Sequence, residues 1–158
     1  MKRASPPRLL AVVSMLCALG AAAPSPAPRR TTARDFRAIM ERLAAGWTEG
    51  EARRAADCFT EDALYTEPPD KQIYRGREEI FRFFGGTAGR RQKMTMTWHH
   101  LFFDEERQIG CGEFTFEFGS KSHGVAVVRI ADGRIRNWRE YWYESDLDWE
   151  RFVGENRF

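Results

Sequence analysis

Two carboxylates are set among residues that would strip them of water. Glu67 closes the run 63–67 just before Pro68-Pro69, with Tyr65 two positions earlier and so on the same side of an extended chain. Glu140 occupies the centre of Trp138-Arg139-Glu140-Tyr141-Trp142 and would share a strand face with two indoles. A desolvated carboxyl resists ionisation, which raises its pKa toward the range useful for proton transfer. Burying one is costly, so a carboxyl on an apolar face is a functional candidate. The competing reading of Glu140 is a one-residue shift in parity that places it in solvent beside Arg139. For Glu67 it is a strand-end carboxylate that caps local amides.

His99 and His100 must turn to opposite faces of a regular strand, and parity with Leu101 and Phe103 selects His99 as the inward polar group. His123 is assigned outward. Three scattered histidines, without a helical pair or a strand-paired carboxylate, suggest no metal site. No Gly-x-Ser-x-Gly, phosphate loop or dinucleotide fingerprint supports nucleophilic or nucleotide-dependent chemistry. Groups able to move a proton are present in Glu67, Tyr65, His99 and Glu140.

The elements that must position these groups follow from hydrophobic period. Phe36, Ile39, Met40, Leu43 and Trp47 form one helical face ending near Gly46. Thr48-Glu49-Gly50-Glu51 has capping-box form ahead of a second helix through Ala52, Ala55, Ala56 and Phe59. A brief strand at 63–67 precedes a third helix at 77–84, closed by Gly85-Gly86. The period then becomes two, with strands at 94–103, 109–118, 123–130 and 135–143 and hairpin turns at 104–107 and 131–133. Ser145 and Asp148 suggest a cap for a last helical segment carrying Leu147, Trp149 and Phe152. Helices on one face of an antiparallel meander make an α+β domain.

The 158 residues suffice for one compact domain, and 13% aromatic content excludes disorder. Six basic residues and no acid precede Asp35, so the remainder of the chain has more acids than bases. Nucleic-acid binding, which needs a concentrated basic face, is therefore disfavoured. Lys2, Arg3 and Arg8 followed by an apolar stretch at 9–23 have the layout of a secretory signal, too short to be a membrane span of about 20 residues. The expected organisation is a signal peptide at 1–23, a proline-rich linker at 24–32, a folded domain at 33–145 and a helical extension at 146–158. The mature protein would be exported, without stable membrane insertion. Cys58 and Cys111 would remain, and their spacing neither requires nor forbids a bond.

Trp47, Arg54-Ala55-Ala56 with Phe59, Glu61-Asp62-Ala63, Pro68, Arg75-Gly76-Arg77-Glu78-Glu79-Ile80, Asp132-Gly133-Arg134-Ile135 and Trp138-Arg139-Glu140-Tyr141 together resemble the SnoaL-like branch of the nuclear transport factor 2-like superfamily, over residues 35–143. The resemblance implies an NTF2-like cone: three N-terminal helices on a curved antiparallel sheet, enclosing an apolar pocket. It also implies which residues face that pocket. Phe114, Phe116 and Phe118 alternate with polar residues and point inward. Comparison with the steroid isomerases adds Trp138, Glu140 and Trp142 from the last strand and Gly124, Ala126 and Val128 from the one before, while Trp47 and Phe83 close the helical side. In the ketosteroid isomerases a carboxylate before a proline at the end of the first strand shuttles the proton, and Glu67-Pro68 matches that place. Their oxyanion donors do not carry over, since the corresponding positions hold Leu43 and Ala126. Tyr65 would be the substitute donor.

The sequence leaves two functions open: cofactor-free isomerase-, cyclase- or dehydratase-like chemistry at Glu67, or binding of a small hydrophobic molecule without reaction. Relatives of this fold often dimerise through the outer sheet face, where Trp98, Phe102 and Val127 would supply apolar contacts.

Overall fold

The computed structural model describes residues 30–157. The expected signal peptide and most of the linker lie outside that range. Thr32 begins the fold: its side chain accepts from the Asp35 amide and Asp35 returns a bond to the Thr32 amide, a reciprocal cap that starts helix α1 (Ala33–Thr48). The capping box expected at Thr48–Glu51 does not form. Helix α1 runs through Thr48, and Glu51 precedes the one-turn helix α2 (Ala52–Ala56) without a side-chain cap. Gly46 lets the two helices meet, because a Cβ there would lie 2.8 Å from the Ala55 amide nitrogen.

Strand β1 (Phe59–Thr66) starts four residues before the expected run, since Phe59 leaves the helix and pairs with Ile135. A short strand β2 (Ile73–Arg75), not anticipated from the sequence, folds back antiparallel on β1 after the Pro68-Pro69 loop. Three residues are too few for a period to show. Helix α3 (Arg77–Phe83) follows, and then β3 (Thr95–Asp104), β4 (Ile109–Phe118), β5 (Ser120–Ala131) and β6 (Arg134–Glu144) form the expected meander. Its turns carry left-handed residues at Gln108 and at Asp132-Gly133. The sheet order is β2-β1-β6-β5-β4-β3, and β1 runs parallel to β6. That parallel pairing brings the end of β1 beside the middle of β6, and no local sequence signal announces it.

Helix α1 buries Phe36, Ile39, Met40, Leu43 and Trp47 against the concave side of the curved sheet. Each such side chain contributes about 1.5–3 kcal/mol on burial. Phe36 stacks on Phe103 at 4.6 Å, and the Trp98 indole donates to the Met40 carbonyl at 3.0 Å. Trp98 is therefore an inner-face residue and not part of an outer dimer surface, as the sequence reading had it. On the convex side the C-terminal helix α4 (Trp149–Val153) lies on the sheet through Trp149 and Phe152, while Phe102 stays 55% exposed.

Candidate functional site

Register places the carboxyls. Tyr65 of β1 is paired with Trp138 of β6, and their rings stack 5.5 Å apart at 6°. Glu67 and Glu140 each lie two residues further on, so strand alternation turns both to the same concave face. The Tyr65 hydroxyl donates to Glu67 Oε2 at 2.5 Å and lies 3.4 Å from Glu140 Oε2, which also accepts from Trp138 Nε1 at 2.7 Å. The two carboxyls are close enough that each shifts the other's ionisation. Tyr65 is 1% exposed and Glu140 6%, whereas Glu67 is partly open. Glu140 is thus inward, and Glu67 spends its side chain on a phenol rather than on backbone amides.

These groups edge a cavity of ≈ 230 Å³ whose remaining lining is Trp47, Phe83, Phe84, Arg90, Met94, Met96, Phe114, Phe116 and Phe118. Burial is the main force on the dyad. It pushes the Glu140 carboxyl well above the usual carboxylate range, and the charge of Glu67 pushes the same way. Glu67 is raised as well, again by burial, but hydrogen bonds from Glu140 and Tyr65 and the positive charge of Arg90 oppose the rise. Tyr65 is held well above its ordinary value by burial and by both carboxylates, so it stays a phenol donor. Glu140 is thus held the more strongly toward its protonated form, and Glu67 is the member that ionises more readily. Two adjacent carboxyls in dry surroundings cannot both be charged, and a split of this kind defines an acid and a base.

Several residues expected in the pocket lie elsewhere. His99 points to the convex face. The β3–β4 register slips between Trp98 and His100, and this bulge turns His99 and His100 both outward while Trp98 and Leu101 face the core. His99 Nε2 bonds Thr115 Oγ1 at 2.7 Å, Thr115 Oγ1 bonds His123 Nδ1 at 2.9 Å, and the His99 ring stacks on Trp149 at 3.9 Å. His100 bonds Glu113 at 2.8 Å on the same outer face. His99 is a structural residue, and its catalytic assignment is withdrawn. Trp142 does not line the cavity either: it is 43% exposed, since one more step of two along the strand, roughly 7 Å, carries it past the chamber. Gly124, Ala126 and Val128 share the inner face but make room for the protein's own aromatics, not for a ligand. A Cβ at Gly124 would lie 2.7 Å from Phe114 Cζ, and Ala126 and Val128 are fully buried.

Sequence reasoning missed Phe84, Arg90, Met94 and Met96. Met96 falls on the inward parity of β3 before the bulge, Met94 continues that parity just ahead of the strand, and both could have been found. Arg90 sits on an irregular segment where no period operates. Among the described residues no group of three or more His, Cys, Asp or Glu side chains could hold a metal, and no helix is long and apolar enough to cross a membrane. Cys58 and Cys111 are free thiols.

A SnoaL-like domain family model matches residues 40–138, and the chain belongs to that family, within the nuclear transport factor 2-like fold. Solved structures of the same fold include an NTF-2 like protein of unknown function from Burkholderia xenovorans (12% identity, 79% of this chain and 96% of that one, TM-score 0.62). They also include the epoxide hydrolase/cyclase-like enzyme SalBIII of salinomycin pyran-ring formation (18%, 70% and 92%, 0.60) and a Mycobacterium tuberculosis LEH-like epoxide hydrolase (19%, 70% and 84%, 0.57). At these identities the likeness establishes the fold alone. No protein of curated function matches the chain.

Proposed function

We propose that this protein is an exported, cofactor-independent acid–base enzyme acting on a small apolar molecule held against Glu67 and Glu140. The observation that carries the reading is the carboxyl dyad, oriented by Tyr65 and Trp138 at the edge of an aromatic cavity. Ionised Glu67 accepts a proton from an acidic C–H or from an attacking hydroxyl. Protonated Glu140 delivers one to an oxygen that gains charge, whether a carbonyl, an ether or an epoxide. Isomerisation, cyclisation and epoxide opening all need that pair of transfers. Two fold neighbours bear names from the last two classes, which supports the reading without fixing the reaction.

The test is turnover of a panel of small cyclic epoxides and unsaturated ketones by wild type, Glu67→Gln and Glu140→Gln. General acid–base catalysis is worth about 10²–10⁴-fold, and each variant should lose that much with its fold intact. A variant that turns over a confirmed substrate as fast as wild type removes the role of its residue. Purified protein that carries an unmodified small molecule in intact mass spectra, and turns over nothing, establishes the binding-protein reading instead. Export is checked by N-terminal sequencing of the processed chain.

A further inference from the structure

The cavity wall holds one cation. Arg90 forms no ion pair among the described residues; its guanidinium donates to the Phe83 carbonyl and lies 5.3 Å from the Phe83 ring centroid and 5.1 Å from that of Phe118. Its Nε is buried without a partner. The side chain has a built berth. Gly85, at φ +116°, leaves room for the stem, since a Cβ there would come within 2.9 Å of Arg90 Cγ. An arginine keeps its charge at any physiological pH, and an unneutralised charge against an apolar cavity is expensive. The charges facing the chamber are then Glu67, Glu140 and Arg90, with the phenols Tyr65 and Tyr74 beside them. Beyond its outer wall stand Glu49, Arg91 and Lys93. A chamber with two carboxyls and one permanent cation is neutral only when one carboxyl keeps its proton.

We propose that Arg90 is the fixed counter-cation of the cavity, that it keeps one of the two carboxyls ionised, and that the chamber therefore takes a compact, uncharged, oxygen-bearing ligand in preference to an acid or an amine. An acid would leave the filled chamber with an excess negative charge, and an amine with an excess positive one. Size narrows the class further. A dry cavity of about 150 Å³ holds benzene, so ≈ 230 Å³ holds one ring with a short substituent. The protonated Glu140 supplies the donor that an oxygen substituent would meet. The proposal deepens the acid–base reading and rests on it for its catalytic consequence, which is that Arg90 makes Glu67 a base.

Carbon-13 NMR titration of glutamate-labelled full chain, assigned with Glu67→Gln and Glu140→Gln, tests the counter-charge without any turnover. Wild type should show Glu67 ionised and Glu140 protonated at pH 7. Arg90→Gln should move the Glu67 midpoint measurably upward, and Arg90→Lys should hold it near wild type. An unmoved midpoint in Arg90→Gln overturns the proposal, and so does a shift that Arg90→Lys fails to restore. The ligand class is read with three probes that share one ring: acetophenone, benzoate and benzylamine. At pH 7 acetophenone should perturb the dyad resonances with at least tenfold higher affinity than either ion. Equal or tighter binding of an ion, or no acetophenone binding at millimolar concentration, overturns that part. Expected titrations in a protein that turns over nothing would sink the enzymatic reading alone, while lost turnover in Glu67→Gln with an unmoved Arg90→Gln titration would sink this proposal alone.

Discussion

Glu67, the residue after β1 ends, and Glu140 on the parallel neighbour β6 lie side by side, each one residue beyond the register pair of Thr66 with Arg139. This adjacency converts two isolated buried acids into one acid–base unit. With Tyr65 and Trp138 donating, they divide the work, and Glu140, more deeply buried, is the one held more strongly toward its protonated form.

Stability should depend on pH through Glu140. Its folded pKa lies above the unfolded carboxylate value of about 4.3, so its contribution is fully present below that value and is lost as pH rises through the raised folded one. Urea midpoints of wild type and Glu140→Gln between pH 4 and 9 should therefore separate as pH rises, with the glutamine variant gaining relative to wild type. Parallel curves would contradict the assignment.

Tyr65→Phe removes the hydroxyl shared by the dyad. The bond from Tyr65 holds Glu67 down, so its loss should raise the Glu67 pKa and move the acidic limb of a pH–rate profile to higher pH. Stability should fall by about 1–3 kcal/mol, because buried acceptors lose a donor. A profile identical to wild type would show that the phenol is only packing.

His99→Ala should leave turnover unchanged and loosen the C-terminal helix, since His99 stacks on Trp149 and reaches His123 through Thr115. Limited proteolysis near 145–148 reads the loosening. Burial holds the His99 pKa down, with His123 and His100 adding to the effect, so its contribution is present above the unfolded histidine value of about 6.5 and fades as pH falls through the lower folded one. Loss of turnover in a folded His99→Ala protein would restore it to the site.

Gly46→Ala forces a methyl against the Ala55 backbone, which cannot rotate away. A loss of about 1–3 kcal/mol in urea unfolding is expected from overpacking. A neutral result would mean that the approach of the two helices is looser than 2.8 Å implies.

Where a repeating period reports a face, the sequence shows the structure. The α1 stripe from Phe36 to Trp47 and the inward Phe114, Phe116 and Phe118 were legible this way, while the inward Trp138 and Glu140 followed from resemblance to the steroid isomerases, the period alone leaving Glu140 open to a shift in parity. Where a period is broken, the same logic misleads: the bulge between Trp98 and His100 reverses parity and sends His99 outward and Trp98 inward. Non-local geometry was invisible. Nothing near Glu67 says that β1 will pair in parallel with β6, so the two glutamates looked like separate candidates. Arg90 follows three glycines of positive φ, Gly85, Gly86 and Gly89, and had no pattern to be read from.

The central claim is that a buried Glu140 keeps its proton beside an ionisable Glu67. Infrared spectroscopy reads it directly: wild type at pH 7 should show a protonated carboxyl stretch that disappears in Glu140→Gln. A wild-type spectrum at pH 7 with every carboxyl ionised would contradict the account.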